Sequence, residues 1–163
     1  MGKRPAIPLL FLALVPLLLA FPAAADVLGK VVSVHDGDTL TVLVEQRQVK
    51  VRLVDIDAPE LRQPFGTRSR ESLAQMCFGK IALVDVRGRD RYKRAIGQVT
   101  CAGTDANAEQ VRRGYAWIYT RYARRDSPLH FLQLQARSEY RGLWADPGAM
   151  PPWEWRRNGR LDH

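Results

Sequence analysis

Residues 31–60 read VVSVHDGDTLTVLVEQRQVKVRLVDIDAPE, and the pattern of this stretch decides the fold. Two segments, 31–44 and 49–60, place apolar residues at near period two, as half-buried strands do, and the polar EQRQ at 45–48 supplies the turn between them. Acidic residues stand where strand gives way to turn: Asp36 and Asp38 flank Gly37, and Asp55, Asp57 and Glu60 end the second segment. Carboxylates are costly to bury without partners, so Asp38, Asp57 and Glu60 at the rim of a small sheet mark a candidate site. A hard cation such as Ca²⁺ takes oxygen ligands and tolerates irregular geometry. Arg52 lies five residues before Asp57, and a cation beside a guanidinium points to a phosphate-bearing substrate.

Working outward, strands are predicted at 27–34, 39–44 and 49–54, with 80–87 and 95–101 as the fourth and fifth. Between the third and fourth, Phe65, Ser69, Leu73 and Met76 recur at helical spacing, with Pro64 suited to a first helical position and Gly79 to a stop. A short helix follows over 107–114, with Thr104 or Asp105 as its cap. A longer one begins at Ser127-Pro128 and carries the stripe Leu129, Leu132, Ala136 and Tyr140. The tail from Asp146 is rich in Pro, Trp and Arg and reads as extended. Five strands, one helix between the third and fourth, and two after the fifth predict a mainly β fold with α-helices. The expected architecture is a five-stranded Greek-key barrel of the oligonucleotide-binding (OB) type with about three helices.

Residues 1–25 stand apart. Lys3 and Arg4 precede an apolar run over 7–20, and Ala23-Ala24-Ala25 offers the small residues a signal peptidase accepts. The run is short for a membrane span and is broken by Pro8 and Pro16. The expectation is a cleaved signal peptide, export to the periplasm or medium, and one domain over 26–145 followed by the tail, 146–163. The whole chain carries a formal charge of +8, and removing Lys3 and Arg4 lowers it by two. Its basic excess is nearly all arginine, whose planar fork matches phosphate oxygens, so a polyanion is a reasonable partner. Cys77 and Cys101 form no CxxC pair, and no set of cysteines and histidines has zinc-ligand spacing. In an oxidising compartment such a pair is commonly a disulfide; two buried thiols are the alternative.

The succession VHDGDTL (34–40), VRLVDIDAPE (51–60), DRYKR (90–94) and NAEQVRRGYAWIY (107–119) resembles the staphylococcal, or micrococcal, nuclease family across residues 27–145. GLWADPGAMPPWEWRR (142–157) is similar to the tail of its exported bacterial members. The resemblance implies a Ca²⁺ site made by Asp38, Asp57 and the backbone carbonyl of Ala58. It implies that Arg52 and Arg94 grip the scissile phosphate and that Glu60 orients or deprotonates the attacking water. It also implies cleavage of DNA and RNA to 3′-phosphate and 5′-hydroxyl ends with little base specificity. No organic cofactor is implied, and a monomer without stable membrane association is expected. Two positions depart from the family pattern. Lys93 stands where the family usually has glycine, at a cost of roughly 1 kcal/mol if the backbone there is left-handed. Ala58 replaces a threonine of the staphylococcal type, although only its backbone oxygen is needed.

Without the family, each residue keeps an alternative. Asp38 and Asp57 can simply cap turns, Arg52 can pair with Asp55, and Glu60 can be a first-turn acid favoured by a helix dipole. Nothing local chooses among Arg91, Lys93 and Arg94; the family pattern selects Arg94 and leaves Lys93 as a further phosphate contact. Tyr92, Tyr119 and Tyr122 are candidates for stacking on bases or sugars, with surface packing the alternative. Trp117, Trp144, Trp153 and Trp155 are expected to pin the tail, and Arg156, Arg157 and Arg160 to add diffuse attraction for a polyanion. Two rival functions remain at this level: a catalytically silent nucleic-acid-binding module on the same barrel, and an exported interaction domain with solubilising arginines.

Overall fold

The computed structural model describes residues 26–159, so the expected leader and the final four residues lie outside it. In chain order come β1 (Val27–Val34), β2 (Thr39–Val44), β3 (Arg47–Leu53), β4 (Ile56–Asp57), α1 (Gly66–Cys77), β5 (Ile81–Arg89), β6 (Ala95–Cys101) and β7 (Thr104–Asp105). Then follow α2 (Ala106–Arg112), β8 (Trp117–Ile118), α3 (Leu129–Ser138), a 3₁₀ turn (Gly142–Ala145) and α4 (Pro152–Asn158).

The strands run β3-β2-β1-β5-β6, and a parallel pairing of β3 with β6, Val51 opposite Ala95 through Leu53 opposite Gly97, closes them into the expected five-stranded barrel. β7 is a short addition at the β6 edge. Closure is aided by register shifts in β1 near Val31–Ser33 and in β5 near Val86–Gly88, since bulges sharpen the local bend and twist. The period-two pattern does its work here: alternate residues of β6 are buried, and Val31, Leu40, Val42, Val51, Val84 and Val99 fill the barrel. Leu73 and Met76 of α1 plug one side of this core. A two-residue turn at Glu45–Gln46 connects β2 to β3, with Glu45 in the left-handed region at φ 54°.

Cys77, at the end of α1, and Cys101, at the end of β6, are joined in a disulfide. It closes a loop of sequence separation 24, for which loss of unfolded-state entropy stabilises a domain by about 3 kcal/mol. Because both cysteines are fully buried, denaturation in urea should show an unfolding free energy lower by that amount, and with it a lower midpoint, in Cys77→Ala/Cys101→Ala, while mild reductant leaves the folded wild type unchanged. An unshifted midpoint in the double variant would show that the bond contributes nothing.

The tail departs from its sequence reading. In place of an extended segment from Asp146 it forms α4, downstream of the 3₁₀ turn at Gly142–Ala145, with Pro152 at the first helical position, where its missing N–H costs nothing. Leu143, Trp144 and Ala136 make a second buried cluster packed on Phe65, Trp117 and Ala149. Trp117 meets Trp144 edge-on at 4.2 Å and Trp153 at 6.0 Å, so the aromatics do pin the tail. Tyr140, read as part of the α3 stripe, lies beyond the helix at φ 53° and 72% exposed. Among the described residues no helix is long and apolar enough to cross a membrane.

Candidate active site

The site begins with two backbone constraints. Gly37 packs so closely that a Cβ there would lie 1.8 Å from Ser69 Oγ and 2.7 Å from Ala58 Cβ, so the β1–β2 turn can press onto α1 and the DAPE segment only without a side chain. Gln110, fully buried on α2, locks that approach by donating from Nε2 to the carbonyls of Gly37 (2.6 Å) and Ser69 (3.0 Å). On the opposite wall, β4 pairs with β8, setting Asp57 against Trp117, and Asp55 enters that bend at φ 64°. The two acidic turns are therefore fixed by independent parts of the fold and brought face to face.

Arg52, projecting from β3, joins them. Its Nη1 lies 2.8 Å from Asp38 Oδ2 and its Nη2 2.9 Å from Asp57 Oδ1. Asp38 is 5% exposed and Asp57 1%. Asp38 also accepts from the Thr39 hydroxyl (2.9 Å) and the Ala58 N–H (2.9 Å). Burial works against the Arg52 guanidinium, yet the charges of Asp38 and Asp57 outweigh it and hold its pKa above the ordinary value. Burial and the charge of Asp38 push Asp36 up to about 7. Burial likewise raises Asp57, only partly opposed by its hydrogen bonds to Arg156. At both acids burial is the largest cause, disfavouring the charged form in a pocket that sets Asp36, Asp38, Asp57 and Glu60 beside Arg52, Arg91, Arg94 and Arg156.

Arg94 enters from the β5–β6 turn. Asp90 braces that turn by accepting from the N–H groups of Tyr92 (2.9 Å) and Arg94 (3.0 Å) and from Arg94 Nε (2.6 Å). The partners of its carboxylate hold Asp90 below the usual range despite an opposing effect of desolvation. Lys93 does adopt a left-handed backbone, at φ 63°. The strain is absorbed at that one residue, and Arg94 still points inward, with Nη1 3.5 Å from the Thr39 hydroxyl.

One cleft of about 370 Å³ is lined by Asp36, Asp38, Arg52, Asp57, Ala58, Pro59, Glu60, Arg91, Tyr92, Arg94, Tyr119 and Arg156. It gathers Asp38, Asp57, Ala58, Arg52, Arg94 and Glu60 with Tyr92 and Tyr119. Lys93 and Tyr122 are not among its lining residues. Tyr92 is exposed and packs under the guanidinium of Arg94, 5.5 Å from ring centroid to carbon. Tyr119 has one face stacked on Trp153 at 5.5 Å, and Tyr122 sits edge-on against it.

The donor chemistry suits a hard cation: every candidate ligand is oxygen, and two of the carboxylates are buried. The shell is sparse, however. Among the described residues no group of three or more His, Cys, Asp or Glu is gathered to hold a metal, so a cation held by Asp38, Asp57 and the Ala58 carbonyl would take further oxygens from water and substrate.

Sequence reasoning overlooked two members of the site. Gln110 stands unremarked in the NAEQVRRGY run because burial of its amide is a tertiary fact. Arg156, read as part of a diffuse basic tail, reaches across 99 positions to donate from Nη2 to Asp57 Oδ2 (2.6 Å) and across 96 from Nη1 to Glu60 Oε1 (2.7 Å).

The family described as Staphylococcal nuclease homologue matches residues 50–146. The chain is 45% identical over 162 residues to Protein ParB of Escherichia coli, covering 92% of each. It is 42% identical over 155 residues to Micrococcal nuclease of Shigella flexneri, covering 89% of each. It is 38% identical over 136 residues to an uncharacterized endonuclease of Haemophilus influenzae, covering 82% of this chain and 75% of that one. With more than half of its length matched by the family and such identities spread over most of the chain, the protein belongs to the staphylococcal nuclease family.

Proposed function

We propose that the protein is a calcium-dependent nuclease that hydrolyses phosphodiester bonds of DNA and RNA by direct attack of water, leaving 3′-phosphate and 5′-hydroxyl ends. Nuclease-type hydrolysis is what the family supports. The observation that carries the finer reading is the bridging of Asp38 and Asp57 by one guanidinium inside a cleft that also holds Glu60 and Arg94.

When bound by Asp38, Asp57 and the carbonyl of Ala58, calcium would supply positive charge for a non-bridging phosphate oxygen. Arg52 and Arg94 donate charge-assisted hydrogen bonds to the phosphate, and these strengthen as negative charge gathers on its equatorial oxygens. Asp90 fixes the direction of Arg94, so little reorganisation accompanies the reaction. Glu60, partly exposed at the cleft mouth, takes a proton from the attacking water as its oxygen bonds to phosphorus; the bond to the 5′ oxygen breaks and that oxygen is protonated from solvent. Tyr92 lies beside Arg94 where a base or sugar can rest on it. The contacts address the sugar-phosphate backbone, so base specificity is slight. The buried disulfide suits an oxidising compartment, and with the leader over 1–25 it supports export to the periplasm or medium, where the protein acts as a monomer.

The decisive assay uses the chain from Asp26 onward, whose barrel core is complete within the described residues. It should degrade plasmid DNA and RNA with Ca²⁺ and stop on addition of chelator. Binding to nucleic acid without strand cleavage would favour the silent module instead. Indifference to chelator would remove calcium from the proposal.

A further inference from the structure

The contact that the family pattern does not supply is made by α4. Arg156 places its guanidinium between the two acids at the heart of the cleft, bonded to both oxygens of Asp57 (2.6 and 3.3 Å) and to Glu60 (2.7 Å). Arg52 already donates to Asp57 Oδ1 from the other side, so this nearly inaccessible carboxylate is covered by two guanidinium groups. Arg94, a further arginine of the cleft, is tied to Asp90. Arg156 is delivered by a built support rather than by a loose arm. Trp153, one turn earlier, stacks on Tyr119 at 13° and meets Trp117 edge-on, and Gln63, which accepts from the Glu60 N–H through Oε1, donates through Nε2 to the carbonyl of Met150 at 2.6 Å.

Two cations cannot share that carboxylate without repulsion. Held by one oxygen of Asp57, a divalent ion and a guanidinium would stand within a few ångströms of each other in a half-buried site, where screening is weak. We propose that Arg156 is the site's internal counter-cation and that a divalent cation binds at Asp38 and Asp57 only by displacing it, which makes α4 a latch on the cleft. The inference rests on the cation reading of the proposed function. Exchange brings two positive charges where one had been, which favours it electrostatically, but it costs the salt bridge to Asp57. The same exchange releases Glu60 from its partner, so the acid that must accept a proton is freed when the cation arrives. The displaced guanidinium then faces a cleft in which the incoming phosphate is the natural new acceptor.

The test is Ca²⁺ titration by calorimetry without nucleic acid, on the chain from Asp26 in three forms: wild type, Arg156→Gln, which keeps hydrogen bonding but removes the charge, and Trp153→Ala, which loosens the latch and leaves every charge in place. Arg156→Gln should bind Ca²⁺ about tenfold more tightly than wild type, and its melting temperature should rise more on adding Ca²⁺; Trp153→Ala should shift in the same direction by less. If Arg156→Gln melts without cooperativity, Trp153→Ala alone decides. Equal or weaker binding in the variants, with binding measurable in wild type, overturns the latch and leaves the nuclease proposal standing. No calcium binding in any form overturns the latch and the calcium site together.

Discussion

Glu60→Gln should lower the rate of strand cleavage by between about 10² and 10⁴-fold, the range over which a positioned general base contributes, with little effect on folding or on affinity for nucleic acid. The substitution keeps the shape of the side chain and the backbone hydrogen bond from the residue 60 N–H to Gln63 Oε1. It converts the Arg156–Glu60 ion pair, whose acid is 42% exposed, into a hydrogen bond from the guanidinium to a neutral amide oxygen, and pairs at such exposure contribute about 0–1 kcal/mol. What the amide cannot do is take a proton from water. The loss should therefore appear in kcat and leave KM nearly unchanged. Measuring both with a fluorescent oligonucleotide separates the outcomes: a wild-type kcat would end the water-activation role of Glu60, and a raised KM alone would make it a binding residue. A protein with no cleavage to lose even as wild type would be the silent module.

Most of the barrel was legible because it depends on local pattern. The alternation in TLTVLV and AIGQVTC survives as strands with the expected bounds, and Asp105 caps α2 by accepting from the Ala108 N–H at 3.1 Å. The tail was misread for the same reason. Its prolines and tryptophans carry little helical preference, and α4 forms because Trp153 finds Tyr119 and Trp117, partners that local spacing does not announce. The site divides along the same line. Asp38, Arg52, Asp57 and Glu60 lie within one stretch of strand and turn; the β2–β3 hairpin that the stretch encodes sets Thr39 opposite Arg52, while the final placing of the two acidic turns comes from Gln110 and from β8, outside it. Arg94 needed the family pattern, because Arg91, Lys93 and Arg94, three of the four basic residues in RDRYKR, are locally equivalent, and the Asp90 brace singles out Arg94. Arg156 comes from the far end of the chain, and its role is set by docking of a tail whose fold was itself unread.

Arg52→Met should be the most damaging single change, because it removes the proposed phosphate ligand and the counter-ion of two buried acids at once. Methionine keeps the aliphatic reach of the side chain in β3, so the effect isolates the charge. With Arg52 gone, Asp38 and Asp57 face each other across the cleft with only Arg156 on the Asp57 side. Breaking such a buried pair costs about 3–5 kcal/mol, and the remaining guanidinium argues for the lower end. The pH dependence fixes the cause. Burial already raises Asp57 above the ordinary carboxylate value, and losing the opposing charge of Arg52 raises it further. A carboxyl whose folded pKa lies above its unfolded one destabilises the fold at high pH, and that cost is relieved as pH falls through the folded pKa and the group is protonated. Urea denaturation at pH 8 and pH 5 should therefore show the gap between Arg52→Met and wild type narrowing toward the lower pH. A gap that stays constant would assign the loss to packing in β3 rather than to stranded charge. Added Ca²⁺ should narrow it too at pH 8, since a cation between Asp38 and Asp57 does electrostatically what Arg52 did, while cleavage remains impaired because the phosphate contact of residue 52 does not return.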